Sequence, residues 1–442
     1  MKWLKRILLL LLIIIALVVY FNYSKLNIIS GYSSKYMASQ VFIAERQPDA
    51  VVQEDLKFPL IELAETNTNS ASASATVYGL MERKAIDRQE LGCVLVNADY
   101  VEGTPYLQPK RDRTTIQLPY PYGHLPAKDT LFPEIDAQKF NKAVALPFAN
   151  NDIQKTRTLL VLYKGHLVHE YYAEGFDKDT PILGWSMTKS VLATLYGILQ
   201  HQKKLDVNWP APIADWKDDE RKDITLNHLL RMQSGLEWDE DYASISDVTR
   251  MLFLDMDMTK AQKEKKAIAK PIEIWNYSSG TTNLLSGILR QQFRTHQAYL
   301  DFPYSALIDK IGMHSMLLEA DLAGNFVGSS YGWASTRDWA RYGQLHLDKG
   351  SWNGEQLFAP EWIEYITELT PGSNGTYGAH FWLNAEGKYP DVPKDLFSCN
   401  GYQGQYVFMI PSKDLVVVRT GLGEEPDFNI NGFLGALVDA ID

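Results

Sequence analysis

One stretch of the chain sets a serine and a lysine at the spacing of a helical turn. In GWSMTKSVLATLYGILQHQKKL, Ser186 is followed three positions on by Lys189. In a helix, residues i and i+3 share one face. A serine hydroxyl is a weak nucleophile until a neighbouring base takes its proton. A lysine can be that base if burial or nearby positive charge lowers its pKa. The start of a helix also favours negative charge developing on the serine oxygen. This is the one Ser-x-x-Lys in the chain. A plain N-cap serine followed by a surface lysine would give the same spacing. Further on, WNYSSGTTNLLSGIL places Tyr277, Ser278 and Ser279 just before a second helical pattern. Tyr277 could relay protons between serine, lysine and leaving group, or it could be a packed aromatic ahead of a serine-capped helix.

Other chemistries find less support. The net charge of −11 disfavours nucleic acid, whose phosphates need a basic surface. The basic run from Lys260 to Lys270 is broken by Glu264 and three alanines, as on a solvated helix face. Cys93 and Cys399 are the two cysteines; they form no Cys-x-x-Cys pair, and spacing alone does not say whether they are bridged. No His-Glu-x-x-His occurs. His166 and His169 lie in a predicted strand, where odd spacing sends them to opposite faces, so no metal and no cofactor are expected. Gly328-Ser329-Ser330-Tyr331-Gly332 fits Gly-x-Ser-x-Gly, but the preceding LEADLAGNF makes a poor buried strand, so Ser330 is set aside as nucleophile.

The elements that must position these residues are readable in part. RTLLVLYKG and HLVHEYYAEG predict two strands joined by a Lys-Gly turn. Met187, Leu192, Leu195, Ile198 and Leu199 then follow helical spacing after Ser186. The region from Leu205 to Arg294 reads as mostly helical, with a helix opened by Thr225 and closed by Gly235. A helix with a Ser335/Asp338 capping box and a Gly350 stop follows. YGAHFWLN, GQYVFMIP and DLVVVRTG predict three strands, with turn-rich LFSCNGYQG between the first two, and a helix from about Ile430 to Ile441 ends the chain. The fold class expected is α/β (α+β): an antiparallel sheet flanked by helices, with a mostly helical inserted subdomain.

At the N-terminus, Lys2, Lys5 and Arg6 precede an apolar run from Ile7 to Phe21, which Trp3 and Leu4 extend. Positive charge on that flank orients the end toward the cytoplasm and the rest outside. Bulky Tyr20, Phe21, Asn22 and Tyr23 disfavour signal cleavage, the alternative that would make the protein secreted. Residues 1–21 are thus expected to be a single-pass anchor, 22–130 an accessory region with a low-complexity linker (TNTNSASASA) near 66–75, and 131–442 the catalytic domain.

Several phrases occur in a specific order: GWSMTKS, ITLNHLLRMQSGLEW, WNYSSGTTNLL, YGWASTRDWARYGQL and GYQGQYVFMIP. Together they resemble the β-lactamase-related serine hydrolases, a group with class C β-lactamases, DD-peptidases, family VIII esterases and 6-aminohexanoate-dimer hydrolases. The resemblance spans about Arg157 to Asp442 and implies the β-lactamase/transpeptidase-like fold. It implies that Ser186 forms an acyl-enzyme while Lys189 and Tyr277 share base and acid work. It further implies that Ser279 and the Cys399-Asn400-Gly401-Tyr402 segment line the cleft, with the backbone N–H groups of Ser186 and Tyr402 as the oxyanion hole. Two positions depart from the family pattern. Ser279 stands where Tyr-x-Asn has asparagine, and Cys399 stands where the third motif often carries a cation that helps hold a carboxylate. The expected substrate is therefore a neutral small-molecule ester or a linear amide, cleaved in the cell envelope on the periplasmic side. The alternatives are a β-lactamase or DD-peptidase, and a non-catalytic envelope protein that kept the fold as a binding module.

Overall fold

The computed structural model describes residues 2–441; the side chains of Lys2, Phe21 and Ser24 lie outside that description. The chain divides into two units. The first comprises residues 1–104 and 240–256, and the second 105–239 and 257–442. Residues 105–130 thus group with the catalytic body, and a stretch from the predicted helical insertion groups with the N-terminal unit.

The N-terminal unit is organised by one helix, α1 (Lys2–Phe42). Its first part, Trp3–Tyr20, is long and apolar enough to cross a membrane, and none of it is buried within the protein. Its later part, from Ile29 to Gln40, is buried without interruption. It packs against an antiparallel four-stranded sheet, β1 (Ala64–Thr68), β2 (Ser72–Val77), β3 (Leu80–Asp87) and β4 (Cys93–Val96), in that order. The expected linker TNTNSASASA is therefore the β1–β2 hairpin. Its small residues are buried at Ser72, Ala73 and Ala75, the last two at the period-two spacing of one strand face. Low complexity here reflects close packing against a helix.

In the second unit, α2 (Ala137–Ala145) precedes β5 (Thr156–Tyr163) and β6 (His166–Tyr172). Lys164 and Gly165 between these strands both have positive φ, as a two-residue hairpin turn requires. Then come β7 (Ile182–Leu183), α3 (Met187–His201) and α4 (Ser279–Gln291). They are followed by β8 (Leu317–Leu318), β9 (Gly332–Ala334) and α5 (Thr336–Leu347). The chain closes with β10 (Trp382–Leu383), β11 (Phe397–Gly401), β12 (Gln405–Ile410), β13 (Leu415–Gly421) and α6 (Ile430–Asp439). Six strands form one antiparallel sheet in the order β10-β11-β12-β13-β5-β6, joining the two ends of the unit. A three-stranded sheet, β7-β9-β8, stands apart.

Strand alternation sorts the core. Leu159, Val161, Phe408, Leu415 and Val417 face α2 and α6, while Val407, Met409 and Val416 face α5. The sheet is therefore covered by helices on both sides, as expected. Gly343 lets α5 lie close: a Cβ there would stand 2.6 Å from Val416 and 2.9 Å from Val407.

Some local expectations need correction. LFSCNG is the strand β11 and not a turn region; the turn lies beyond it, at Gln403 and Gly404 with positive φ. The helix opened by Thr225 is short, Leu226–Leu230, and Gly235 serves a separate turn. The region from Leu205 to Arg294 holds several short helices and much loop. Ser335 caps α5 by accepting from the Asp338 N–H, but the Asp338 carboxylate accepts from Ser315 and so does not complete a capping box. A bulge between Val161 and Leu162 pairs His169 with Val161 and His166 with Tyr163. Both histidines thus share one face, against Phe140 and Phe132.

Two other histidines are buried in the helical layer. His346 on α5 donates from Nδ1 to the Tyr342 carbonyl, and burial lowers its pKa to about 4. His380 donates from Nδ1 to the Leu230 carbonyl, leaving Nε2 to accept from Thr282 at 3.0 Å. Burial, aided by the charge of Lys189, lowers its pKa to about 3.

Two outcomes are expected. Gly343→Val should lower the thermal midpoint, as overpacking costs about 1–3 kcal/mol, with Gly343→Ala intermediate; an unchanged midpoint would contradict the close helix–sheet approach. Both buried histidines are neutral when folded but bind protons near pH 6.5 when unfolded. Their stabilisation is complete above that pH and is lost as pH falls toward 4 and 3, at about 1.4 kcal/mol per unit for each. Urea titrations between pH 7 and 5 should show this slope, and His346→Gln should remove about one proton from it.

Candidate active site

The candidate site is built at the turn from β7 into α3. Ile182 and Leu183 pair with β9, and the chain then bends at Gly184 and Trp185 before Ser186 opens the helix. Trp185 has φ of 46°, a left-handed conformation that a bulky side chain adopts only when its surroundings enforce it. Those surroundings are visible. The Gly184 N–H donates to the Gly332 carbonyl at 2.8 Å. The Thr188 hydroxyl donates to the Trp185 carbonyl at 2.7 Å and accepts from the Gly332 N–H at 2.9 Å. Gly401 at the end of β11 closes the other side: a Cβ there would lie 2.1 Å from the Gly184 carbonyl oxygen.

The elbow leaves Ser186 half-buried and aims Lys189 inward, where it is only 1% exposed. Lys189 Nζ lies 3.0 Å from Ser186 Oγ, 2.8 Å from Ser279 Oγ and 2.9 Å from the Ser329 carbonyl oxygen. It also sits over the Tyr277 ring, 4.9 Å from the centroid. Four of the residues picked out from sequence, Ser186, Lys189, Tyr277 and Ser279, are thus brought together from the starts of α3 and α4 and the loop just ahead of α4. Ser278 caps α4 by accepting from the Thr281 N–H, which fixes the start of that helix and with it Ser279.

The third segment divides. Gly401 and Tyr402 flank the elbow, and the Tyr402 ring stands edge-on to Trp185 at 5.5 Å. Burial, and then the nearby Glu424 carboxylate, raise the pKa of Tyr402. Cys399 pairs with Val407 and is 0% exposed, facing the layer that holds α3. Burial raises its pKa to about 12, and Ser190 hydrogen-bonds to it. It lies beneath α3 and does not line the cleft. Asn400, one position on, points to the opposite face of the strand, where its side-chain oxygen accepts from Ser398 at 2.7 Å. Motif order located β11, but the faces of that strand decide which of its side chains can meet a substrate. Both cysteines are buried thiols.

Sequence reasoning missed several members. Ser329 belongs to the Gly-x-Ser-x-Gly stretch set aside as a rival site; its carbonyl holds Lys189, while Ser330 is fully buried and bonded to the Ser329 hydroxyl. Asn283 on α4 accepts from the Ser329 N–H at 3.1 Å and so fixes that carbonyl. Trp275, Tyr377 and Trp382 pack around Tyr277 with centroids 5.4–6.4 Å from it. No spacing rule could have joined these aromatics, since they come from three separate loops and strands. Among the described residues, no three His, Cys, Asp or Glu side chains converge as a metal site would need.

Known proteins share this architecture. A 6-aminohexanoate-dimer hydrolase from Paenarthrobacter ureafaciens is 23% identical over 321 residues, covering 64% of this chain and 78% of the relative. A solved Bacillus anthracis protein named as a 6-aminohexanoate-dimer hydrolase superposes with a TM-score of 0.56 at 23% identity, covering 67% of this chain and 80% of its own. EstCE1, a hydrolase with promiscuous acyltransferase activity, gives 0.55 at 14% identity, covering 69% and 98%. The solved structures share the fold. The Beta-lactamase family pattern matches residues 153–438, well over half the chain. The chain therefore belongs to the Beta-lactamase family of hydrolases.

Proposed function

We propose that this protein is a serine hydrolase that cleaves a neutral ester or amide through an acyl-enzyme on Ser186. The observation that carries this reading is the 3.0 Å contact between Lys189 Nζ and Ser186 Oγ. Lys189 is held there by Ser279 and the Ser329 carbonyl, so its nitrogen does not have to reorganise as the reaction starts. Lys189 takes the hydroxyl proton as Ser186 Oγ attacks the substrate carbonyl. The backbone N–H groups of Ser186 and Tyr402 receive the oxyanion. The proton passes by way of Lys189 and Tyr277 to the leaving alcohol or amine. Water then attacks the acyl-enzyme, with the same groups acting in reverse.

The cleft chemistry favours a substrate without a carboxylate. The position where the family often carries a cation is the buried thiol of Cys399. Glu424 stands near Tyr402 and would repel an anion there. The aromatic group around Tyr277 offers an apolar wall instead. For location, α1 runs from the apolar segment into the buried core of its unit without a break. Lys2, Lys5 and Arg6 precede its uninterrupted apolar run, which starts at Ile7. This supports an uncleaved anchor, with the catalytic body on the extracytoplasmic side.

The reading is tested with p-nitrophenyl esters, linear amides and a chromogenic cephalosporin. Ester should turn over fastest, amide next and cephalosporin least. Ser186→Ala and Lys189→Ala should each lose at least about 10³-fold in kcat, in keeping with removal of one member of a catalytic unit. Ser330→Ala should keep its rate. A fluorophosphonate should label the wild type and leave Ser186→Ala unlabelled. An adduct that persists in Ser186→Ala would refute the site. The absence of any adduct in wild type would leave a fold retained for binding.

A further inference from the structure

The N-terminal unit carries a groove that the catalytic reading does not use. Along α1, Ala16, Tyr20, Tyr23 and Asn27 recur at intervals of four, three and four, so they form one stripe on one helix face. This stripe walls two adjoining cavities that share Asn27. The lower, about 670 Å³, runs beside Ala16, Val19, Tyr20, Tyr23 and Met81. The upper, about 750 Å³, is bounded by Asn27, Arg83, Lys84, Val96, Leu254 and Met256, with Glu82 and Glu102 also on its walls. The lower cavity therefore starts within the apolar segment Trp3–Tyr20, and the upper one lies beyond it.

The wall of the upper cavity carries two cations, Arg83 and Lys84, beside the carboxylates Glu82 and Glu102. Arg83 is half-buried, and its Nη1 donates to Asn27 Oδ1 at 2.6 Å. Nη1 also lies beside Gly31, 3.6 Å from where a Cβ would stand, an ordinary packing distance. Among the described residues Arg83 makes no ion pair, whereas Lys84 is 3.8 Å from Glu102. Burial lowers the pKa of Arg83 with no carboxylate acting against it. A half-buried guanidinium beside an open cavity is a site for a planar or tetrahedral oxyanion. Its height is also informative. Exposed Tyr20 and Tyr23 fall where aromatic side chains mark the bilayer surface. Asn27 is four residues past Tyr23, a rise of about 6 Å, which is the depth of lipid phosphates.

We propose that this groove binds one anionic phospholipid of the membrane that α1 crosses, with its phosphate on Arg83 and an acyl chain along the stripe from Tyr23 to Ala16. The proposal rests on the anchor reading. The charge on Arg83 favours an anionic headgroup over a zwitterionic one, and the apolar lower cavity favours a lipid over a soluble phosphate.

The full-length chain is tested in phosphatidylcholine nanodiscs with and without phosphatidylglycerol, with lipids retained after release counted by native mass spectrometry. One phosphatidylglycerol should be retained per chain. Arg83→Gln should weaken retention about tenfold or more, as for loss of one charge-assisted hydrogen bond. Ala16→Trp, which fills the lower cavity and leaves Arg83 in place, should weaken it as well. Both variants should keep wild-type ester hydrolysis, which reports that they are folded. Equal retention by Arg83→Gln, equal retention of phosphatidylcholine, or displacement of the lipid by inorganic phosphate would each overturn the groove while leaving the anchor standing. An N-terminal sequence starting beyond residue 21 would overturn the anchor reading and the groove together.

Discussion

The catalytic unit depends on one close approach of backbone to backbone. Gly401, from the end of β11, lies so near the Gly184 carbonyl that no side chain fits between them. Gly184 is bonded in turn to Gly332, and Thr188 ties Gly332 to Trp185. Three distant parts of the sequence therefore meet at two residues before Ser186. The left-handed conformation of Trp185 follows, because the chain must turn from strand to helix within the space these neighbours leave. What the elbow gains is direction. Ser186 is left at the surface of the cleft, while Lys189, one turn later, is carried into the interior. Without the constraint at Gly401 the same sequence would still form α3, but nothing would fix the helix start against the strand that borders the cleft.

Beneath the elbow, polar groups are buried, and most of those around Lys189 have identifiable partners. Ser190 donates to the His380 carbonyl, His380 is held between Leu230 and Thr282, and Asn283 fixes the Ser329 peptide that meets Lys189. Such networks are of value when they are complete, because an unpaired polar group in this environment costs about 1–3 kcal/mol. They also explain why serine is acceptable at position 279. Its hydroxyl, one carbon shorter than an asparagine amide group, reaches Lys189 directly because the cap at Ser278 sets the start of α4.

Much of this site was legible where local rules apply. The Ser-x-x-Lys spacing, the helical periodicity after it, the Lys-Gly hairpin and the serine-capped start of α4 all depend on neighbours within a few residues, and each is where the pattern puts it. Misreadings arose where partners are remote. TNTNSASASA looks like a linker because its residues are small and polar, yet α1 needs small residues to approach. The strand at LFSCNG is rich in turn-formers, and only pairing with β12 makes it extended. The bulge at Val161 moves His169 to the face of His166, which no count of alternation would show. Cys399 and Asn400 were found by motif order, but their orientation belongs to the register of β11 with β12.

The same distinction applies to the boundary between units. Residues 240–256 follow a stretch of catalytic sequence and precede another, so nothing local sets them apart, yet they group with α1 and its sheet. Within that unit, Phe253 meets the helix where Gly31 leaves room, with its carbonyl oxygen 3.2 Å from where a Cβ would stand. The excursion leaves the second unit after Trp238 and Asp239, and the Trp238 ring packs on Gly280, directly after Ser279. It returns at Asp257, and two residues later Thr259 packs on Gly287 of the same helix α4. Both ends of a segment built into the N-terminal unit are therefore fastened to the helix that presents Ser279 to Lys189. The N-terminal region is thus joined by the covalent chain to the second unit at three points, its own junction near residue 104 and these two, and its deletion would remove the support of a loop inside the sequence of that unit.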